Sequence, residues 1–445
     1  MAQIFMDLLS SLTNCLFCFP GSPQLKVNNR SFKLLRLLGE GGFSYVYLVQ
    51  DTSTSQLYAL KKIRCPFGQE SVSLALKEAE AYALFSPHPH IIHAVDHAVT
   101  SANDKSDPGS KTVYILLPYY RRGNLQDAIN ANLVNHTQFP ERRLMIMFLG
   151  VAKALKAMHQ YRVKGAPGGA QSRQNAKKLR QEAEEADRDA ARKARGRRKD
   201  ADISEEEDIE QEPLMNGEVT RSQEGVGDGE IRAYAHRDVK PGNIMISDSG
   251  TSPILMDLGS LAPSPVHITS RALALQTQDL AAEHSTLPYR APELFDTKTG
   301  AVIDAKTDIW SFGCTLFACL VGKSPFEMRS EETGGSLSIC VLGGDWRFPD
   351  EESMANGGGK RKTKKKGKGK GREGDGERGV VVEENDEDGD DGGISEGVRG
   401  VVRACLRVES AERPDVDEVI GMIEKVVAEL PPDDGDGVGG EESEG

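Results

Sequence analysis

Aromatic residues are scarce in this chain: they make up 6 % of its 445 residues, and tryptophan occurs twice. Cysteine is also sparse. The seven cysteines form an odd number without regular spacing, which excludes a disulfide framework and suits a reduced intracellular protein. No apolar run reaches the roughly 18–20 residues needed to cross a bilayer. The N-terminus lacks the positive stretch of a secretory signal. Basic charge is in deficit, with a formal net charge of −13, so no specific nucleic-acid partner is expected. No internal repeat is present. Length alone would allow two or three domains. With 38 % hydrophobic residues, 28 % charged residues and 46 glycines, part of the chain lies outside any core.

What is present falls into blocks. Residues 1–29 contain the apolar "TNCLFCFPGS", Thr13 to Ser22, which holds Cys15 and Cys18. From residue 30 to 163, strand-like and helix-like runs alternate. A polar, helix-prone and then acidic block fills 164–232, and with no apolar stripe to bury it reads as a solvated helix or as disorder. Globular sequence returns at Ile231. A second low-complexity block occupies about 350–394, with "KRKTKKKGKGKGR" followed by "EENDEDGDDGG". A helical pattern over 395–430 closes the folded unit, and 431–445 is an acidic tail of disordered type. The two blocks read as surface insertions into one domain spanning 30–430, because loop closure costs rise only logarithmically with length.

Chemistry concentrates in short strings. "LLRLLGEGGFSYVYLVQD" reads as strand, glycine-rich turn, strand, and such a turn presents N–H groups to phosphates. Ser44 stands where the third glycine of G-x-G-x-x-G would be. No helix follows, so a dinucleotide fold is excluded. "YALKKI" is a second strand carrying Lys61, and "LALKEAEAYALF" is a helix offering Glu78 or Glu80 as its partner, with Glu78 favoured. "YAHRDVKPGNIMI" then places His236, Arg237, Asp238, Lys240 and Asn243 at the spacing H-R-D-x-K-x-x-N. "ILMDLGS" sets Asp257 before Leu258 and Gly259, and "TLPYRAPELF" carries Ala291, Pro292 and Glu293. The histidines of "SPHPHIIHAVDHA" lack cysteine partners at zinc spacing and read as a helix-to-strand loop.

In this order the strings resemble a eukaryotic protein kinase. "LLPYYRRGNL", "AHRDVKPGNI", "LMDLGS", "YRAPELF" and "DAKTDIWSFGC" are similar to the Numb-associated kinase family, above all to its myristoylated and palmitoylated serine/threonine branch and the fungal vacuolar-membrane relatives of that branch. The resemblance implies an α+β, bilobal fold, with a small β-rich N-lobe holding one helix and a larger helical C-lobe. It implies ATP and Mg²⁺ as cofactors and serine/threonine hydroxyls of proteins as acceptors. Asp238, Lys240, Asn243, Lys61 and Glu78 would be catalytic. Leu38, Gly39, Glu40, Gly41, Gly42, Phe43 and Ser44 would cover the phosphates, with Lys61 pairing to them. Val46, Ala59 and Met245 would sandwich the adenine. Leu117 would be the gatekeeper, Pro118 and Tyr120 the hinge, and Asn243 and Asp257 the metal ligands.

Other residues take supporting roles by the same resemblance. Thr286 would hydrogen-bond near Asp238, Asp308 would hold the backbone of the catalytic loop, Glu293 would pair with Arg413, and His236 would pack in the core. Leu258 replaces the usual phenylalanine after the metal aspartate. The segment from Asp257 to Glu293 is long, and Arg237 could pair with a phosphate added within it. In that family an extra helix lies beyond Ala291–Glu293. The alternative to an active enzyme is a pseudokinase scaffold, which retention of Lys61, Asp238, Asn243 and Asp257 disfavours.

Cys15 and Cys18 gain a meaning from this. No second cysteine pair exists for zinc, and Ala2 rather than glycine excludes myristoylation. Ile4, Phe5, Leu8, Leu9, Leu12 and Leu16 share a helical face, either interfacial or docked on the domain. Such a face plus acyl chains on Cys15 and Cys18 supplies the two signals that stable anchoring needs. The expected location is the cytosolic side of an endomembrane, vacuole or Golgi. The lysine cluster reads as a solvated loop, with anionic lipid binding or nuclear import as the other readings.

Overall fold

The string "VNNR" is a tight turn waiting for a hairpin, because asparagine tolerates the left-handed backbone that such turns require. Asn28 adopts it, at φ 52°. The turn joins β1 (Gln24–Val27) to β2 (Arg30–Glu40), which pair antiparallel with Val27 opposite Arg30. The sheet therefore begins at Gln24, ahead of the boundary expected at residue 30. The computed structural model describes residues 24–66, 68–101, 111–163, 231–351 and 393–432. The expectations for Cys15 and Cys18, for the tail and for nearly all of the two insertions lie outside the described residues.

β3 (Ser44–Asp51), β4 (Leu57–Cys65), helix α1 (Gly68–Leu84), β5 (Asp96–Ser101) and β6 (Lys111–Pro118) follow. The six strands form one antiparallel sheet in the order β1-β2-β3-β4-β6-β5. Period-two alternation gives the sheet two different faces. Val27, Phe32, Val49, Tyr58, Leu60 and Leu116 close into a core on one face. Each large apolar side chain so buried contributes about 1.5–3 kcal/mol. The register sets Val46 opposite Lys61, and Ala59 opposite Leu117, so these four share the other face.

The remainder is mostly helical. In α2 (Leu125–Asn135) the Asn124 side chain caps Asp127 N–H, and Asp127 returns the bond to Asn124 N–H. In α3 (Glu141–His159), Leu144, Phe148, Val151, Leu155 and Met158 repeat at three- and four-residue steps and are buried.

The chain divides into two compact units, residues 1–159 with 233–445, and residues 160–232. In the second unit the described residues form one short antiparallel pair. Tyr161 of β7 (Tyr161–Arg162) faces Arg232, and Arg162 faces Ile231, at the start of β8 (Ile231–Ala235).

In the first unit β9 (Ile244–Ile246) and β10 (Pro253–Leu255) make a hairpin that leads into Asp257. β11 (Ala262–Ser264) and β12 (Val266–His267) precede α4 (Arg271–His284), which starts at a Ser270 cap. This helix lies before Ala291–Glu293. Beyond Glu293, the described residues form β13 (Val302–Ile303) and then α5 (Lys306–Val321). The extra helix is thus placed inside the segment between Asp257 and Glu293, not beyond it. Ala274 and Ala281 of α4 pack with Ile268, Leu294 and Ile303, a small core that accounts for the length of the segment.

α5 is buried almost all round and ends on Gly322, whose φ of 98° favours glycine. α6 (Pro325–Thr333), α7 (Leu337–Gly343), α8 (Glu396–Cys405) and α9 (Val416–Glu429) complete the lobe, with α8 against α5 and α9 against α3. No single helix among the described residues is long and apolar enough to cross a membrane.

Candidate active site

Lys61 projects from β4 toward α1, and its Nζ lies 2.6 Å from Glu78 Oε1 and 3.2 Å from Asp257 Oδ1. Glu80, two residues further along the helix, is exposed, since two residues turn an α-helix by about 200°. The structure thus pairs Lys61 with Glu78. Burial by itself would lower the Lys61 pKa, but the Asp257 and Glu78 carboxylates outweigh it and raise it, so the amine stays charged. For Asp257, burial pushes upward, and Lys61 reverses this to hold the carboxyl below the ordinary aspartate range. Asp257 sits at φ 61°, a costly conformation for a residue with a side chain, and the turn Leu258–Ser260 follows it.

The second cluster is built on the string after His236. Asp238 Oδ1 accepts from Thr286 N–H at 3.0 Å and from Thr286 Oγ1 at 2.7 Å. Asp238 Oδ2 accepts from Asn243 Nδ2 at 2.9 Å and lies 2.8 Å from Lys240 Nζ. Lys240 also donates to Thr286 Oγ1 at 2.6 Å.

Beneath it, the buried Asp308 of α5 accepts from the backbone N–H of His236 at 2.7 Å and of Arg237 at 2.8 Å, and His159 Nε2 lies 2.9 Å away. Burial raises the Asp308 pKa, while the His159 hydrogen bond and charge lead the effects that bring it below the usual value. These bonds hold Arg237 at φ 69°. His236 is buried, with Nε2 3.0 Å from Met256 O, and its Nδ1 accepts from Asp238 N–H at 3.2 Å. Ser260 Oγ donates to His236 O, and Met256 N–H to Asn243 O, so the loops of Asp238 and Asp257 are tied together.

The remaining sequence-singled residues surround these clusters. Leu38, Gly39 and Glu40 end β2, and Gly41, Gly42 and Phe43 make the turn, closed by Gly41 N–H to Ser44 O at 2.7 Å. Val46 and Ala59 lie on the Lys61 face with Leu117, which is buried. Pro118 ends β6, and Tyr120 follows it before α2. Met245 of β9 bridges to Asn124 at the start of α2. Glu293 pairs with Arg413 through two 2.7 Å bonds. Two surface cavities lie elsewhere, one of about 300 Å³ by Ile129, Leu133 and Cys319, the other of about 390 Å³ by Trp346, Leu406 and Val408.

Among the described residues no cluster of three or more His, Cys, Asp or Glu is gathered as a metal site. The histidine loop is no exception: His90 Nδ1 is 3.1 Å from Pro253 O. Asp257 and Asn243 nonetheless suit a hard cation that keeps waters and phosphate oxygens as its other ligands. Both amide protons of Asn243 go to Asp238, one to the backbone oxygen and one to the carboxylate, which leaves Oδ1 as the oxygen that such a cation could take.

Three residues at the site had not been singled out from the sequence. His159 supports Asp308. Arg290 donates to Ser285 Oγ at 2.7 Å beside Thr286. Tyr82 donates to Glu78 Oε1 at 2.8 Å. Only Tyr82 carries a readable signal, the four-residue helical step from Glu78.

A glycine-rich turn over a Lys–Glu pair, facing an aspartate held by lysine, asparagine and threonine, is the arrangement of phosphotransferases that act on proteins. The chain belongs to the protein kinase family. The model of the protein kinase domain matches residues 32–164 and 232–422. Relatives narrow this. The chain is 30 % identical over 434 residues to the serine/threonine-protein kinase ENV7 of Saccharomyces cerevisiae, covering 95 % of this chain and 99 % of that protein. It is 32 % identical over 344 residues to ppk13 of Schizosaccharomyces pombe, covering 77 % and 86 %. It is 30 % identical over 315 residues to human serine/threonine-protein kinase 16, covering 71 % and 77 %. These relatives agree with the branch of the Numb-associated kinases that the sequence resembles.

Proposed function

We propose that the chain transfers the γ-phosphoryl group of ATP, with Mg²⁺, to serine and threonine hydroxyls of proteins, on the cytosolic face of a vacuolar or Golgi membrane. The observation that carries the catalytic reading is the convergence of Lys240, Asn243 and Thr286 on Asp238. Asp238 accepts the proton of the acceptor hydroxyl as its oxygen attacks the γ-phosphorus and the bond to the β-phosphate oxygen breaks. The hydroxyl reaches the carboxylate by taking the place of Thr286 Oγ1 or Lys240 among its four donors. Lys240 then offers its charge to the γ-phosphate as negative charge develops, a preorganised electrostatic contribution. Lys61, oriented by Glu78, holds the α- and β-phosphates under the glycine-rich turn. Asp257 and Asn243 Oδ1 would hold Mg²⁺, which would supply charge neutralisation at the phosphates. The Tyr120 backbone N–H serves the adenine edge, since Pro118 has no N–H to give.

Transfer of phosphate to casein by the wild type, against Asp238→Ala, tests the catalytic part. Equal incorporation by both proteins would defeat it and leave the scaffold reading. The membrane part is supported by the apolar N-terminus and the pair Cys15 and Cys18. Fractionation of wild type against Cys15→Ser/Cys18→Ser is expected to move the kinase from membranes to the soluble fraction. A fully soluble wild type, or acylation insensitive to hydroxylamine, sinks that part.

A further inference from the structure

Lys26, Lys33 and Arg36 are exposed on β1 and β2, and phosphoryl transfer has no use for them. The ladder sets all three on one face. Lys26 stands opposite Ser31, Lys33 opposite Gln24 and Gln50, and Arg36 opposite Leu48. Ser31 and Lys33 are two residues apart on β2, as Leu48 and Gln50 are on β3, and period-two alternation returns each pair to the same side. Lys33 and Arg36 are three residues apart and would point to opposite sides of a regular strand. An irregularity between Leu34 and Arg36 leaves Leu35 as an extra residue and brings Arg36 into line with Lys33. The opposite face of these strands, with Phe32 and Val49, is closed by the core.

The row carries one sign of charge. Its ladder partners Gln24, Ser31, Gln50 and Leu48 are uncharged. Among the described residues its side-chain hydrogen bonding comes down to Arg36 Nη2 on the Tyr119 hydroxyl at 3.5 Å, and no carboxylate pairs with it. Arg30, on the core face, has such a partner, Asp51 at 2.8 Å. The chain as a whole carries −13, so an anionic surface repels most of it and attracts it here. β1 begins at Gln24, six residues after Cys18. Six residues reach at most about 20 Å, so an anchor at Cys18 keeps the row within reach of the bilayer. The row also lies at the opposite end of β2 from the glycine-rich turn, and a surface that covers it does not have to cover the turn.

We propose that Lys26, Lys33 and Arg36 form a docking row for an anionic lipid surface, which sets how the anchored chain sits on its membrane. The inference rests on the membrane part of the proposed function. The headgroups supply the negative charge that the row lacks, and the negative charge of the rest of the chain opposes other orientations.

The test couples the full chain through Cys15 and Cys18 to vesicles that carry a maleimide-headed lipid. The cysteines among the described residues are all buried, so coupling is directed to that pair. Brief acetylation followed by mass spectrometry then reads each lysine. On phosphatidylcholine and phosphatidylserine in equal parts, Lys26 and Lys33 should acetylate about tenfold more slowly than on phosphatidylcholine alone. Lys298 and Lys425, which are 78 % and 76 % exposed, should keep their rates. The protection should vanish in Arg36→Glu, and also in about 1 M salt, where the Debye length falls to about 3 Å. Equal rates at Lys26 and Lys33 on the two vesicles, or an equal slowing at Lys298 and Lys425, overturn the inference. Protection confined to the lysines of 360–370 assigns the attraction to that block and overturns it as well. Coupling supplies the attachment, so a wild type found soluble on fractionation sinks the membrane reading without touching this result, and an unprotected row sinks the inference without touching that reading.

Discussion

The glycine-rich turn and the catalytic loop face the same chemistry with opposite degrees of restraint. The turn is held by Gly41 N–H to Ser44 O and by Arg64 N–H to Phe43 O, while Phe43 is 56 % exposed. A Cβ added at Gly39 or Gly42 would meet nothing within 4 Å. Around Asp238, by contrast, backbone and side chains are bonded at nearly every position, and Asp308 ties the loop to α5, a helix buried almost all round. On the proposed function the contrast has a reason: a surface that admits and releases a nucleotide has to move, whereas a base that meets a hydroxyl at hydrogen-bond distance has to stay.

Asp308→Ala should break this contrast most severely. It strips His236, Arg237 and His159 of a common buried acceptor, and should cost about 3–5 kcal/mol by urea unfolding, with phosphate transfer lost. Thr286→Ala leaves the fold intact and removes one donor from Asp238. It should lower kcat by roughly tenfold with little change in KM for casein, read by steady-state kinetics. Acid should loosen the held side in particular. The depressed Asp308 carboxyl contributes stability above its unfolded value near 3.8, and this is lost as pH falls through the lower folded value. Thermal melts between pH 6 and pH 3 should show that loss, and Asp308→Asn should flatten it. Gly42→Ala should barely register in stability, within about 0.5 kcal/mol, while KM for ATP rises. A large drop in melting temperature there would mean that the turn is as restrained as the loop.

Reading the sequence worked where chemistry demands fixed spacing. The run from His236 to Asn243 announces itself because its residues act within a few ångströms of one another on one stretch of backbone. The choice between Glu78 and Glu80 needed the direction of a helix face, which the string "KEAEAY" leaves open until the sheet beside it is placed. α4 was invisible as a helix because its buried positions, Ala274, Thr277 and Ala281, are small or polar and make a weak apolar stripe. β1 escaped notice because four residues carry little periodicity, and its existence depends on pairing with β2. His159 meets Asp308 through tertiary contact, and the string around it does not resemble a site; Tyr82 offers only the four-residue helical step from Glu78.

The short pair of Tyr161–Arg162 with Ile231–Arg232 has a consequence for how such a chain can vary. The two ends of the run between them are clasped side by side before that run contributes anything. Each doubling of a run closed in this way costs only about 0.6 kcal/mol in chain entropy. Additions and deletions there are edits at a seam, and descendants of this protein can gain or lose whole stretches of sequence without resetting Asp238.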